Sequence, residues 1–223
     1  MDENINHWYD GFFYDKFIAP NQDQAFDYVK RIVELNSSLL DVGCGTGRFA
    51  FQMEDICSRI DGIDPSLRNI KVAKRRLKRN GFGKINFYHS DAINFSINSD
   101  SNYDYALLSY VIHEIDESLR VNILRILSQK AYKIIIIDYL APKPQSAWRF
   151  LNEVVEFAAG AGHYKNFKSY IKNNGIEGLA EQSGLKIIHE IKNRPSASHI
   201  ALLQKEGWKS WWNLEKLNYE IIL

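Results

Sequence analysis

The sequence predicts an α/β fold: a mostly parallel sheet covered by helices on both faces and closed by an antiparallel hairpin. Three observations carry this prediction. Apolar, β-branched runs alternate with helix-like segments along most of the 223 residues, the pattern of a parallel sheet buried on both sides. The first run ends in an acid followed by alternating glycines, Asp41-Val42-Gly43-Cys44-Gly45-Thr46-Gly47, which reads as a strand, a tight turn and a helix start. The last two runs, 185–192 and 198–204, are joined only by Asn193-Arg194-Pro195-Ser196. That connection is too short for a parallel crossover, so the pair is a hairpin.

The elements follow in order. Residues 38–43 form the first strand and 47–55 a helix. A strand over 58–63 precedes a helix over 66–80, which Gly81 ends. Strands follow over 85–89, 103–109 and 132–138, and a helix over 117–129 separates the last two. Ile134 to Ile137 is the longest apolar run and reads as a central strand, far too short to cross a bilayer. No internal repeat or low-complexity linker interrupts the pattern, so the chain reads as a single domain over 1–223.

Composition narrows the function classes. The formal net charge is +1, so no global field draws the chain to nucleic acid or acidic lipid. Two cysteines, Cys44 and Cys57, offer neither a disulfide framework nor a zinc motif, and no residue is assigned to a metal. The start, Met1-Asp2-Glu3-Asn4, is acidic and unlike a signal peptide. These features suggest a cytoplasmic chain without a membrane span.

The glycine turn points to a nucleotide-like cofactor. Glycines let the backbone approach a ligand and adopt φ values other residues avoid, and a helix start favours an anionic group. The spacing departs from the dinucleotide fingerprint, which requires glycine where Arg48 stands. With its acid two residues before the first glycine, Asp41 to Gly47 resembles the class I S-adenosylmethionine (SAM)-dependent methyltransferases. The resemblance is densest over residues 39–113 and implies a three-layer sandwich with a seven-stranded sheet. It also implies that SAM is the cofactor, its amino-acid end wrapped by Asp41, Gly43, Cys44, Gly45 and Gly47.

Later motifs arrive in the order this resemblance requires. Ile60-Asp61-Gly62-Ile63-Asp64-Pro65 ends a strand in an acid about 20 residues past the glycines, placed to accept ribose hydroxyl hydrogen bonds. Asp64 could instead cap the next helix. Asp91-Ala92 ends the third strand, where the family's Asp meets adenine; a turn or cap is the alternative. Ser109 to Ile115 forms the loop that lies under the transferring methyl group in that family. The Ser109-Tyr110-Val111-Ile112 sequence lacks the Pro-Pro tetrad of enzymes that methylate base amino groups. Neither cysteine stands where a pyrimidine C5 nucleophile would.

Substrate identity belongs to segments outside this shared floor. Residues 1–35 are read as an N-terminal helical lid, 139–184 as an insertion covering the substrate, and 207–223 as a tryptophan-rich tail that packs on its own domain or a second subunit. Candidate substrate contacts are Tyr9, Tyr14, Tyr110, Asp138 and Tyr164. His113 and His163 are the candidate bases, since imidazole titrates near neutrality; a packed or capping histidine is the alternative at His113. The expected acceptor is a small, partly apolar molecule. The helix over 66–79 holds seven cations and no acid. It is either a solvated face or an anionic-partner patch, and the latter would suit an RNA or protein methyltransferase. A SAM-binding protein without transferase activity is the third reading.

Overall fold

A computed structural model describes residues 19–98, 101–141, 161–195 and 197–206. Seven strands form one sheet in the order β3-β2-β1-β4-β5-β7-β6. They are β1 (Ser38–Val42), β2 (Arg59–Asp64), β3 (Ile85–His89), β4 (Tyr103–Ser109), β5 (Ala131–Tyr139), β6 (Leu185–Lys192) and β7 (Ser198–Lys205). The first five are mutually parallel, whereas β7 runs antiparallel to both β5 and β6. The alternation seen in the sequence therefore becomes the predicted sheet, with the hairpin folded so that its second strand lies inside its first.

Helices cover both faces: α1 (Ala19–Ile32), α2 (Arg48–Gln52), α3 (Leu67–Asn80), α4 (Ala92–Asn98), α5 (Glu117–Lys130), α6 (Ala161–Lys172) and α7 (Gly175–Ser183). Successive strand residues point to opposite faces, and the core splits accordingly. Leu39, Leu107 and Ile135 pack with Phe26 of α1, Phe49 of α2 and Ile70 of α3. Leu40, Leu108 and Ile136 pack with Leu124 of α5, Tyr170 of α6 and Leu179 of α7. This is the three-layer sandwich.

The two expected covering segments fall partly outside the described residues. The aromatic stretch before residue 19 lies outside the described residues, and the helix observed next, α1, presents Ala25, Phe26 and Val29 to the sheet. Of the presumed substrate cover, α7 is instead an ordinary layer helix packed on α5, β5, β6 and β7. Its entry needs a left-handed backbone at Asn174 (φ 61) and Gly175 (φ 55), residue types that tolerate it. No described helix is long and apolar enough to cross a membrane.

Candidate active site

The glycine turn hangs on the end of β2. The amides of Gly43 and Cys44 both donate to the Ile63 carbonyl, at 2.8 and 3.0 Å. All three turn glycines have positive φ, but they differ in what surrounds them. A Cβ on Gly43 would lie 2.4 Å from Val111, and one on Gly47 would lie 2.5 Å from Phe87. These two hold the turn against β4's loop and β3. A Cβ on Gly45 would meet nothing within 4 Å, so its smallness leaves space for something outside the chain. No side chain caps α2 at Gly47.

Two buried carboxylates flank that space. Asp64 accepts from the Gly45 amide (2.9 Å), the Ser66 amide (2.8 Å) and the Asn69 side chain (3.3 Å). The helix cap itself is Ser66, whose side chain accepts from the Asn69 amide. Asp64 thus ties the turn to the start of α3. Burial raises its pKa, and these hydrogen bonds oppose the rise. Asp41 is different: its Oδ2 is buried with no hydrogen-bond partner. Burial, then the charge of Asp64, pushes its carboxyl up to about 7. An orphaned buried carboxylate beside an open glycine is what a cationic ammonium group would complete. The residues present therefore fit SAM, which Asp41, Gly45 and Asp64 would hold.

This geometry makes cofactor binding pH-dependent. Asp41's raised pKa means the ligand-free fold holds its proton beyond the pH at which an unfolded chain releases it. That contribution to stability is present below about 4 and lost as pH rises through about 7. A cationic ligand favours the ionised form, so SAM affinity should climb from pH 6 to 8 with proton release on binding. Titration calorimetry in buffers of different ionisation enthalpy measures this release. Asp41→Asn should abolish it and weaken binding about 10- to 100-fold, the worth of a charge-assisted bond. The absence of proton release in the wild type would reject the assignment.

The remaining cofactor candidates lie along the same edge. Pro65 is exposed, and its carbonyl accepts from His89 Nε2 at 2.9 Å. Asp91 is exposed and accepts from the Asn94 amide (2.8 Å) and side chain (2.5 Å). It therefore caps α4, beginning at the buried Ala92. Ser109 ends β4, which runs beside β1 with Leu107 opposite Asp41. Cys44 is buried, and burial drives its thiol pKa up, which suits packing and not nucleophilic chemistry.

A second centre forms where β4 and β5 end. His113 is buried, and its Nδ1 lies 2.7 Å from Asp138 Oδ1. The His113 amide donates to Asp138 Oδ2 at 3.2 Å, and the Tyr139 amide donates to Oδ1 at 2.7 Å. Asp138 is 0% exposed. Expected at the substrate, Asp138 has both oxygens hydrogen-bonded within the chain, to His113 and to the Tyr139 amide. Tyr139, Phe167 and Tyr170 surround the imidazole, with ring centroids at 4.8, 6.1 and 6.4 Å.

Tyr110, at φ 54, is a non-glycine residue in the left-handed region. Its amide donates to the Ile137 carbonyl at 2.7 Å, and its hydroxyl shares a 2.6 Å hydrogen bond with Ser198 Oγ. The hydroxyl is thus engaged with β7, leaving the half-buried ring as the surface a substrate could meet. His163 and Tyr164 lie in the first turn of α6 and are half-buried. His163 is one turn before Phe167, so it shares the helix face that reaches His113. Tyr164 carries Lys168 over its ring at 5.7 Å. Tyr9, Tyr14 and the tail over 207–223 lie outside the described residues.

Arg120 is the residue that pattern reading missed. It is 1% exposed. Its guanidinium donates to the carbonyls of Ile115 (2.9 Å), His113 (3.3 Å) and Asn166 (2.6 Å). Burial pulls its pKa below the ordinary value, while Glu117 and Asp138 oppose that. One side chain thereby joins the His113 loop to α6.

The strand ends thus bring together an open glycine turn, two buried acids and a histidine–carboxylate pair. Residues 39–138 match the family described as a methyltransferase domain, and this match supports a SAM-dependent methyltransferase. Among curated relatives is demethylmenaquinone methyltransferase of Bacillus subtilis (strain 168), 22% identical over 197 residues, covering 79% of this chain and 81% of that protein. Among solved structures, magnesium protoporphyrin IX methyltransferase (ChlM) from Synechocystis PCC 6803 with bound SAH superposes with a TM-score of 0.62 at 16% identity, over 88% of this chain and 89% of that one. The N-methyltransferase NodS from Bradyrhizobium japonicum WM9 gives 0.60 at 15% identity, over 83% and 97%. At these identities the structural likenesses speak for the fold.

Proposed function

We propose that the chain methylates a small, partly apolar molecule at an acidic O–H or N–H group, with His113 taking the proton. The observation that carries this is the buried His113–Asp138 pair at 2.7 Å. A carboxylate accepting at Nδ1 fixes the tautomer and leaves Nε2 as the basic nitrogen. The names of the relatives, demethylmenaquinone methyltransferase and magnesium protoporphyrin IX methyltransferase, describe enzymes of small molecules and support the same acceptor class.

Bound SAM supplies a methyl group on a sulfonium sulfur, already activated for in-line displacement. The chain's task is to position the acceptor, exclude water and remove one proton. Asp41 and Asp64 hold the cofactor's polar ends. Tyr139 and Phe167 wall the imidazole and favour an apolar acceptor beside it. Transfer would break the sulfonium S–CH3 bond and leave S-adenosylhomocysteine as the neutral thioether, while the proton lost by the acceptor would pass to His113 Nε2, with Asp138 stabilising the imidazolium. Asp91 and Ala92 are assigned to adenine, Ser109 to the floor beneath the methyl group, and Tyr110, Tyr164 and His163 to the acceptor's surroundings. The N-terminal segment over 1–35 and the insertion over 139–184, apart from α7, are assigned to the substrate cover of a single domain, and the setting is cytoplasmic.

The test is a panel of soluble phenols, quinols and amines of graded polarity, offered with SAM. S-adenosylhomocysteine release and a product one methyl heavier are expected for the flat, apolar phenols or quinols. SAM binding without turnover across the panel, or transfer confined to RNA or protein, would overturn the reading.

A further inference from the structure

We propose that the solvent face of α3 is a docking surface for an anionic lipid bilayer, seating the cofactor edge of the sheet against the membrane. Seven cations lie in α3, from Arg68 to Arg79, with no acid among its residues. The whole chain has 28 cations and 27 acids. Everything outside α3 therefore has 21 cations against 27 acids. The near-zero total conceals a strong segregation of charge onto one helix.

Helical geometry sorts this charge onto one side. Ile70 and Ala73 are buried against the sheet layer, with Leu77 packed beside them. Lys71, Lys74, Arg75, Lys78 and Arg79 are exposed, and among the described residues none of them has an acidic partner. At 1.5 Å per residue the basic face runs about 17 Å, long enough to span several headgroups.

Two features place this face at the active site. Arg76 donates to Thr46 Oγ1 of the glycine turn at 2.9 Å. The first turn of α3 starts directly after Asp64, at the same sheet edge as the cofactor turn. There Leu67, 47% exposed, lies one turn before Lys71 on the same face. An exposed leucine beside lysines suits shallow insertion among headgroups. α3 contains no aromatic residue, so it lacks the stacking groups with which proteins grip single-stranded nucleic acid. The choice of lipid over RNA also rests on the proposed small, partly apolar acceptor, which would partition into a bilayer.

Sedimentation of the full chain with phospholipid vesicles tests this. The chain should pellet with vesicles containing about one third phosphatidylglycerol, stay in solution with pure phosphatidylcholine, and be released by salt. Lys71→Gln/Arg75→Gln/Lys78→Gln should lower the partition coefficient about 100-fold, since each surface cation contributes about fivefold. SAM affinity and melting temperature, read on the same variant, should not change. Leu67→Ser should weaken vesicle binding severalfold. A wild-type chain that ignores anionic vesicles overturns the proposal, as does a triple variant that binds them normally. A salt-sensitive RNA gel shift without vesicle binding assigns the face to nucleic acid instead. Vesicle binding that persists when no small acceptor is methylated leaves the surface in place and brings down the functional reading alone.

Discussion

Replacing His113 with Ala should cut turnover about 10²- to 10⁴-fold while leaving SAM affinity within a few-fold, because a positioned base contributes that much to proton transfer. The imidazole lies at the β4–β5 end of the sheet, whereas the acids that fit the cofactor lie on β1 and β2. Asp138→Asn separates orientation from shape. An amide at that position can no longer accept from Nδ1–H with full negative charge, so the favoured tautomer and the imidazolium are both lost. Its kcat should fall with KM little changed, and the base-dependent limb of the kcat/KM pH profile should move. Asp138→Glu should recover part of the rate. A full-rate His113→Ala enzyme on a phenolic acceptor would show that transfer needs no base here.

Replacing Arg120 with Met should cost about 3–5 kcal/mol of folding stability, the cost of breaking a buried charge network by removing one partner. Three carbonyls lose this donor together, those of His113, Ile115 and Asn166. Asp138 also loses a nearby cation. Arg120→Lys should rescue little, since one ammonium on a flexible stem cannot reproduce the planar fork. Urea unfolding reads the loss as a lower midpoint at constant slope. The joint between the His113 loop and α6 should loosen as well, raising KM for the acceptor in whatever fraction stays folded. A midpoint unchanged in the Met variant would show that the guanidinium does not hold the joint.

The strands were legible because each is short, apolar and bounded by turn residues, and β3 and β4 begin and end where the pattern places them. The glycine turn was legible because its φ requirements leave a direct mark on composition. α4 was not: its residues, Ala92 to Asn98, include two asparagines and a serine that mimic a loop. Arg120 was hidden for a related reason. A charged residue on an amphipathic helix reads as solvent-facing, and only the carbonyls of a distant helix show otherwise. His113 and Asp138 were each visible, but their pairing crosses 25 residues and two strands. Asp138 was therefore assigned to the ligand when its partner is the imidazole. The two acids at the cofactor edge show the same limit. Asp41 and Asp64 look alike in sequence, and only the accounting of their hydrogen bonds separates the satisfied one from the orphan.

The position of β7 between β5 and β6 governs when a nascent chain can close its sheet. β5 emerges from the ribosome with Ile134 to Ile137 in a continuous row, and its permanent neighbour on that side is β7, not β6. Until residues 198–205 are synthesised, that row is an unpaired apolar edge, the kind that templates association with other chains. β6 cannot protect it, because its own partner is also β7. Translation that stalls or terminates within 140–197 would therefore release a product with an adhesive edge, however well its first five strands had folded. β7 thus decides when the row is covered: a chain without it leaves one side of Ile134 to Ile137 unpaired.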